Sequence, residues 1–268
     1  MSPLWIAAVM GIVEGLTEYI PVSSTGHLII AGSLLGLQGE KAKTFEIFIQ
    51  LGAILAVVVY YRSRFLQLAN LTSDGRNRFE GLRGCLLLAV TTAPVLVMGF
   101  LFREAIKARL FAPVPVAIAL GVGGLAILAA EQWHPAPRTH DLDGVGWQQA
   151  LQVGLFQCLS LWPGVSRAAA TIVGGIMGRL DRKTAAEYSF FAAVPALTAA
   201  TIYDLYKSRD LLTSADVPVF AVGFAVSFLF AWMAIAGFLR LLQRHTLRSF
   251  AWYRIIVAPI IYYFMRSA

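Results

Sequence analysis

The chain has 268 residues, 58% of them hydrophobic and only 14% charged, with a mean hydropathy of +0.68. A soluble domain carries roughly a quarter charged residues, so this composition excludes a soluble enzyme or carrier and specifies an integral membrane protein. The net charge of +7 suits basic cytoplasmic loops, and no nucleic-acid partner is expected.

The opening "MSPLWIAAVMGIVEG" has no basic start and runs into acidic residues, so it is read as a retained segment and not as a cleaved signal peptide. Crossing a ~30 Å hydrocarbon core takes about 20 helical residues. The stretches 44–61, 81–101, 113–131, 185–206, 217–239 and 249–265 reach that length. Four apolar pieces, 4–19, 24–37, 147–161 and 166–178, do not, and they are joined in pairs at Pro21 and Pro163. Apolar stretches broken by proline and polar residues predict re-entrant hairpins, which are tolerated at depth only when buried in protein or lining a wet cavity. Cys85 and Cys158 lie far apart in apolar surroundings and are expected to pack in the core, neither bridged nor metal-bound.

The two hairpins resemble each other. "GIVEGLTEYIPVSSTGHLIIAGSLLG" overlays "VGLFQCLSLWPGVSRAAATIVGGIMG" with Pro21 on Pro163, Ser24 on Ser166, Gly32 on Gly174 and Gly36 on Gly178; a one-residue shift pairs Glu46 with Glu187. A single membrane domain over 1–268 then divides into units 1–131 and 147–266. Three full spans per unit is an odd number, so the second unit enters from the opposite face. The expected fold class is an all-α polytopic membrane protein with an inverted-topology repeat, each unit a re-entrant helical hairpin plus three transmembrane helices.

Loop charges orient it. Arg62, Arg64, Arg76, Arg78, Arg83, Arg138, Arg179, Arg182, Lys183, Arg240, Arg244 and Arg248 gather on one side, against Lys41, Lys43, Arg103, Lys107, Arg109, Lys207, Arg209 and Arg266 on the other. The richer side is expected to be cytoplasmic, which opens the first hairpin to the exterior.

Polar chemistry concentrates at the hairpin turns. Glu14 and Glu18 share one helix face and suit a divalent cation, or a general base beside a bound phosphate. In "PVSSTGH", Ser24 is expected to cap the next helix, whose free N–H groups and positive dipole end make an anion site, with His27 in its first turn. In "WPGVSRAAATI", Ser166 is the expected cap and Arg167 brings a planar fork suited to phosphate, or to a salt bridge with Glu14, Glu18 or Glu187. Ser23, Thr25, Gly26, Gly164 and Ser166 complete a phosphate-binding pair of turns, and apolar walls point to a lipid as the rest of the substrate. Glu46, Glu187 and Gln50 read equally as supporting partners or helix-start polar groups, and Arg254 as a side chain snorkelling to the interface. Trp5, Trp133, Trp147, Trp162, Trp252 and Tyr262 fit interfacial belts. Inverted repeats with broken helices also serve secondary transporters, so a flippase of a polyprenyl phosphate lipid is the rival reading.

"EGLTEYIPVSSTGHL", "AKTFEIFIQLGAILAVV" and "PGVSRAAATI" resemble the signature segments of the bacterial undecaprenyl-pyrophosphate phosphatases, the bacitracin-resistance membrane phosphatase family. The resemblance covers nearly the whole chain. Glu14 and Glu18 match the family's first acidic motif; Ser23, Ser24, Thr25 and His27 its serine-rich turn; Pro163, Gly164, Ser166 and Arg167 its second motif. Ala168 and Ala169 depart from the family's usual Ser-Gly. The resemblance implies removal of the terminal phosphate of undecaprenyl pyrophosphate, dependence on Mg²⁺ or Ca²⁺, an outward-facing site in the bacterial plasma membrane, and a homodimer. Glu18, Ser24, His27 and Arg167 are the expected catalytic residues, with Ser24 or His27 as nucleophile and Glu14 and Glu18 on the metal.

Overall fold

A computed structural model of the chain describes residues 2–37, 39–71, 79–110 and 112–267. Arg76 and Arg78 lie outside the described residues. Eleven α-helices are described: α1 (Pro3–Thr17), α2 (Ser24–Leu35), α3 (Glu40–Tyr60), α4 (Arg62–Ala69), α5 (Gly81–Leu110), α6 (Pro113–Trp133), α7 (Trp147–Gln157), α8 (Arg167–Met177), α9 (Arg182–Ser208), α10 (Val217–Leu242) and α11 (Arg248–Ser267).

Local chemistry starts and stops these helices. Ser2 accepts the Trp5 N–H and Pro3 occupies the first turn of α1, where a missing N–H costs nothing. Asp181 accepts the Thr184 N–H at 2.7 Å to start α9. Gly36 closes α2 at φ +69°, which lets the Leu37 N–H return to the Gly32 carbonyl at 2.8 Å.

Among the described residues five helical segments are long and apolar enough to cross a membrane: Glu40–Tyr60, Gly81–Phe102, Pro113–Trp133, Arg182–Leu211 and Ser214–Leu242. These are five of the six predicted spans. The sixth, α11, is a helix of 20 residues but is not among them, with Arg254 inside it. The four short apolar pieces are α1, α2, α7 and α8, each too short for a ~30 Å core at 1.5 Å per residue.

The first short helix of each pair packs on a long helix from the other half of the chain. α1 packs on α10, while α7 packs on α5. The approach of α1 to α10 is set by Gly15: a Cβ there would lie 2.5 Å from the Ser227 carbonyl oxygen. α3 and α10 also pack together, α11 lies on α6, and α8 lies on α9. The main core includes Tyr19, Phe79, Tyr188, Phe190, Phe191 and Ile172. Cys85 departs from its expected place: it is exposed at a groove between α4, α5 and α9, its Sγ–H donating to the Leu68 carbonyl at 3.4 Å. Trp5, Trp133, Trp147, Trp162 and Trp252 are likewise exposed.

Basic loop residues collect at one end. Arg64 pairs with Asp143 at 3.0 Å, Arg182 with Glu131, Arg248 with Gln132 at 3.2 Å, and the Arg138 N–H donates to the Arg179 carbonyl at 2.8 Å. Lys41, at the opposite end of α3 from Arg64, pairs with Asp216 at 2.6 Å. Replacing Gly15 by Leu forces α1 off α10, and overpacking of this kind costs about 1–3 kcal/mol or more. The expected result is a lowered thermal midpoint and loss of a monodisperse peak in detergent, while Ala at exposed Leu16 leaves both unchanged.

Candidate active site

The first hairpin turns between the end of α1 and Ser24, the second between Cys158 and Arg167. Their turns meet. Glu18 receives the Ser24 hydroxyl on Oε2 at 2.6 Å and Arg167 Nη2 on Oε1 at 3.1 Å. Arg167 Nη1 donates to the Ser189 carbonyl at 3.1 Å and hydroxyl at 3.2 Å, and its Cζ lies 5.3 Å from the Tyr19 ring centre. The Arg167 Nε–H is buried with no partner among the described residues. The pair is almost fully enclosed, with side chains 8% and 5% exposed. Removing one member of such a pair strands a buried charge at a cost of about 3–5 kcal/mol.

Ser23 and Ser166 are the N-caps of α2 and α8, and both hold positive φ, +74° and +70°. That region is strained for a residue with a Cβ and persists only where its surroundings enforce it. Ser166 caps as expected, its Oγ accepting the Ala169 N–H at 3.2 Å. This bond uses the main chain of Ala169, so the alanines in place of Ser-Gly leave it intact. Ser24 departs from expectation: it is the first residue of α2, not its cap, because its hydroxyl is committed to Glu18. No side chain caps α2, which leaves its first-turn N–H groups available to an anion.

His27 is not brought to Ser24. Its Nδ1 lies 2.8 Å from the Ser23 carbonyl and its Nε2 2.5 Å from the Tyr253 hydroxyl. A carbonyl only accepts, so Nδ1 carries the proton and, in a neutral ring, Nε2 accepts from Tyr253. The two rings also stack, 5.6 Å apart at 6°. His27 therefore pins the strained Ser23 turn.

Arg254 does not snorkel. It is fully buried and donates to four main-chain carbonyls: Pro21 at 3.2 Å, Ala119 at 3.3 Å, Leu120 at 3.3 Å and Gly164 at 3.0 Å. One guanidinium thus ties both hairpin turns to α6. Gly164 is constrained on the same side, at φ +100° with the Val116 carbonyl oxygen 2.5 Å from where a Cβ would sit.

A cavity of about 580 Å³ opens at this junction. Glu18, Ser23, Ser24, Thr25, Gly164, Ser166 and Arg167 line one part, and Val95, Leu96, Phe100, Leu161 and Leu197 give it apolar walls. A second, mostly apolar groove between α4, α5 and α9 shares Leu96 and Ala199 with it. Three expected site residues, His27, Gly26 and Glu14, do not line the cavity. Gly26 packs on Ile261 of α11, where a Cβ would come within 2.6 Å. Glu14 is 1% exposed, one turn behind Glu18. Gln50 does line the cavity, while Glu187 accepts from Tyr61 at 3.3 Å as an ordinary helix-side charge.

Among the described residues no three His, Cys, Asp or Glu side chains form a metal cage. Mg²⁺ bound through a phosphorylated substrate needs only one or two carboxylates and keeps water besides. Of the two expected ligands Glu18 lines the cavity, while Glu14 lies one turn behind it with Oε1 buried and no partner among the described residues.

A hydroxyl donating to a carboxylate can be activated as a nucleophile, and an arginine with an unpartnered N–H beside two helix N-termini can hold a phosphate. The profile of one protein family, described as bacitracin resistance protein BacA, matches residues 7–260. The chain belongs to the BacA family. This BacA-family chain is also 56% identical over 265 residues, 99% of each chain, to the undecaprenyl-diphosphatase of Nitratidesulfovibrio vulgaris. It is 56% identical to that of Maridesulfovibrio salexigens over 98% of this chain and 99% of the other, and 54% identical to that of Oleidesulfovibrio alaskensis over the same shares.

Sequence reasoning missed Tyr253, Arg254 and Ser189 in this BacA-family site. Only Arg254 carried a signal, a charge inside an apolar segment without an acidic neighbour, and only in three dimensions does it find carbonyls instead of water. Arg254→Lys keeps the charge but cannot reach all four carbonyls. Leaving two unsatisfied costs about 2–6 kcal/mol, or roughly 5–15 °C in thermal midpoint. A scan in detergent checks this; an unchanged midpoint would remove Arg254 from its tying role.

Proposed function

We propose that this chain is an integral membrane phosphatase that hydrolyses undecaprenyl pyrophosphate to undecaprenyl phosphate and inorganic phosphate, recycling the lipid carrier for envelope polymers. The observation that carries this reading is the Ser24–Glu18–Arg167 chain of bonds in a cavity with apolar walls. The curated relatives bearing the undecaprenyl-diphosphatase name support the substrate class. A lipid flippase would need the phosphate clamp but not a serine hydroxyl aimed at a carboxylate, so the Ser24–Glu18 bond disfavours transport.

In the mechanism we propose, Glu18 takes the Ser24 proton as Oγ attacks the terminal phosphorus. The phosphorus–bridging oxygen bond breaks, and undecaprenyl phosphate leaves with the proton that Glu18 returns to it. Arg167 shifts from holding Glu18 to holding phosphoryl oxygens, beginning with its unpartnered Nε–H. The N–H groups of α2 and α8 and the Ser166 cap orient the anion, while His27 holds the Ser23 turn that aims α2. Water then hydrolyses the phosphoserine. A divalent cation would be held by Glu14 and Glu18 with the pyrophosphate and would supply charge neutralisation.

The finer architecture belongs to this reading: two re-entrant hairpins in two inverted units, six spans, a homodimer, and a site opening to the periplasm. The crosswise packing of α1 on α10 and α7 on α5 supports inversion, as does Arg254 on the equivalent turn carbonyls of Pro21 and Gly164. The caps Ser23 and Ser166 pair one residue off the sequence overlay. The basic end formed by Arg64, Arg138, Arg179 and Arg182 supports a cytoplasmic assignment for that face.

Phosphate release from undecaprenyl pyrophosphate by the detergent-solubilised protein tests the activity. Ser24→Ala, Glu18→Gln and Arg167→Lys are each expected to lose about 10²–10⁴-fold. Near-full activity in all three would overturn the site. A chelator is expected to abolish release and added Mg²⁺ or Ca²⁺ to restore it; release insensitive to chelation would remove the cation from the reading.

A further inference from the structure

The cavity wall holds a polar side chain that the proposed phosphoserine formation does not use and that no described residue answers. Gln157, the last residue of α7, lines the cavity with Ser24 and Arg167, yet it is 0% exposed and neither Oε1 nor Nε2 has a partner among the described residues. Leaving both groups of a buried carboxamide unanswered is costly, and native structures retain such a group where a ligand or an ordered water answers it. Its neighbours in the wall are committed elsewhere. Ser160 donates to the Gln157 carbonyl at 2.7 Å, Ser166 caps Ala169, and Gln50 accepts from Thr201 at 3.5 Å.

The two half-reactions make different demands. Attack by Ser24 needs a base and an anion clamp, which Glu18 and Arg167 supply. Hydrolysis of the phosphoserine needs a water held against the phosphorus, on the face away from Oγ. A carboxamide suits that task, because its oxygen accepts from the water while its NH₂ donates to a phosphoryl oxygen, fixing the two relative to each other. Glutamine orients attacking water in this way in nucleotide hydrolases. A carboxylate in the same place would repel the phosphoryl group.

Resting on the phosphoserine reading above, we infer that Gln157 positions the water that hydrolyses phospho-Ser24. The water oxygen bonds to phosphorus and the Oγ–phosphorus bond breaks. One water proton passes through Glu18 to Ser24 Oγ, and the other leaves on hydrogen phosphate. Gln157 exchanges no proton.

Rapid-quench kinetics with undecaprenyl pyrophosphate labelled in its terminal phosphate separates the steps. In Gln157→Met we expect first-turnover formation of undecaprenyl phosphate within 3-fold of wild type. Steady-state phosphate release should fall about 10²-fold, and labelled protein, mapped to Ser24, should accumulate. Should that variant fail to fold, Gln157→Asn, which keeps both polar atoms but withdraws them by one methylene, is expected to show the same split at smaller amplitude. Equal loss in both phases, or unchanged steady-state release, overturns the role of Gln157 while leaving the phosphatase reading standing. A wild-type protein that releases phosphate without ever carrying label overturns the phosphoserine reading and this inference together.

Discussion

A helix broken inside an apolar bundle leaves main-chain carbonyls and N–H groups with no water to receive them, and the protein must answer each one. Here that requirement is met at the carbonyl side by Arg254. Its planar fork reaches Pro21, Gly164 and two residues of α6 at once, and among the described residues no carboxylate pairs with it. Both hairpin turns are thereby referenced to one side chain. The relative position of the two following helices, and of everything carried on their first turns, depends on that fixture.

The N–H side is treated the opposite way. α2 begins without a side-chain cap and α8 with one, so donors remain unfilled where the two turns face the cavity. An anion answers these groups better than any neutral partner, since the helix dipoles and Arg167 add charge of the same sign. The Glu18–Arg167 pair joins the two turns through opposite charges, and the same carboxylate receives the Ser24 hydroxyl.

Small residues and strain set the remaining geometry. Gly15 lets α1 settle against the α10 main chain, and Gly164 lets the second turn press on Val116. Ser23 and Ser166 hold positive φ that serine does not choose. At Ser23 the restraint is visible as the His27 ring, stacked and hydrogen-bonded to Tyr253 from α11. The last helix therefore contributes adjacent residues to two tasks, Tyr253 behind the histidine and Arg254 between the turns.

Membrane class and the short apolar helices on either side of Pro21 and Pro163 were legible in the sequence, as was the polar set Glu18, Ser24, Ser166 and Arg167 that the fold gathers at one cavity. Their signals are local: apolar run length, proline position, and polar groups too expensive to place in such runs without purpose. Length and apolarity predicted six spans; five of them are helices long and apolar enough to cross a membrane among the described residues, and α11, where the sixth was expected, is a 20-residue helix with Arg254 inside it. What tertiary structure alone decided was the pairing. Whether Ser24 caps a helix or faces a carboxylate, whether His27 bonds to Ser24 or to the turn before it, and whether Arg254 seeks lipid headgroups or carbonyls are settled by a backbone held in strain at Ser23 and by partners brought from distant parts of the chain, Tyr253 to His27 and Arg254 to Pro21. Composition and spacing set the cost of leaving a polar atom unanswered; only the folded arrangement determines which atom answers it.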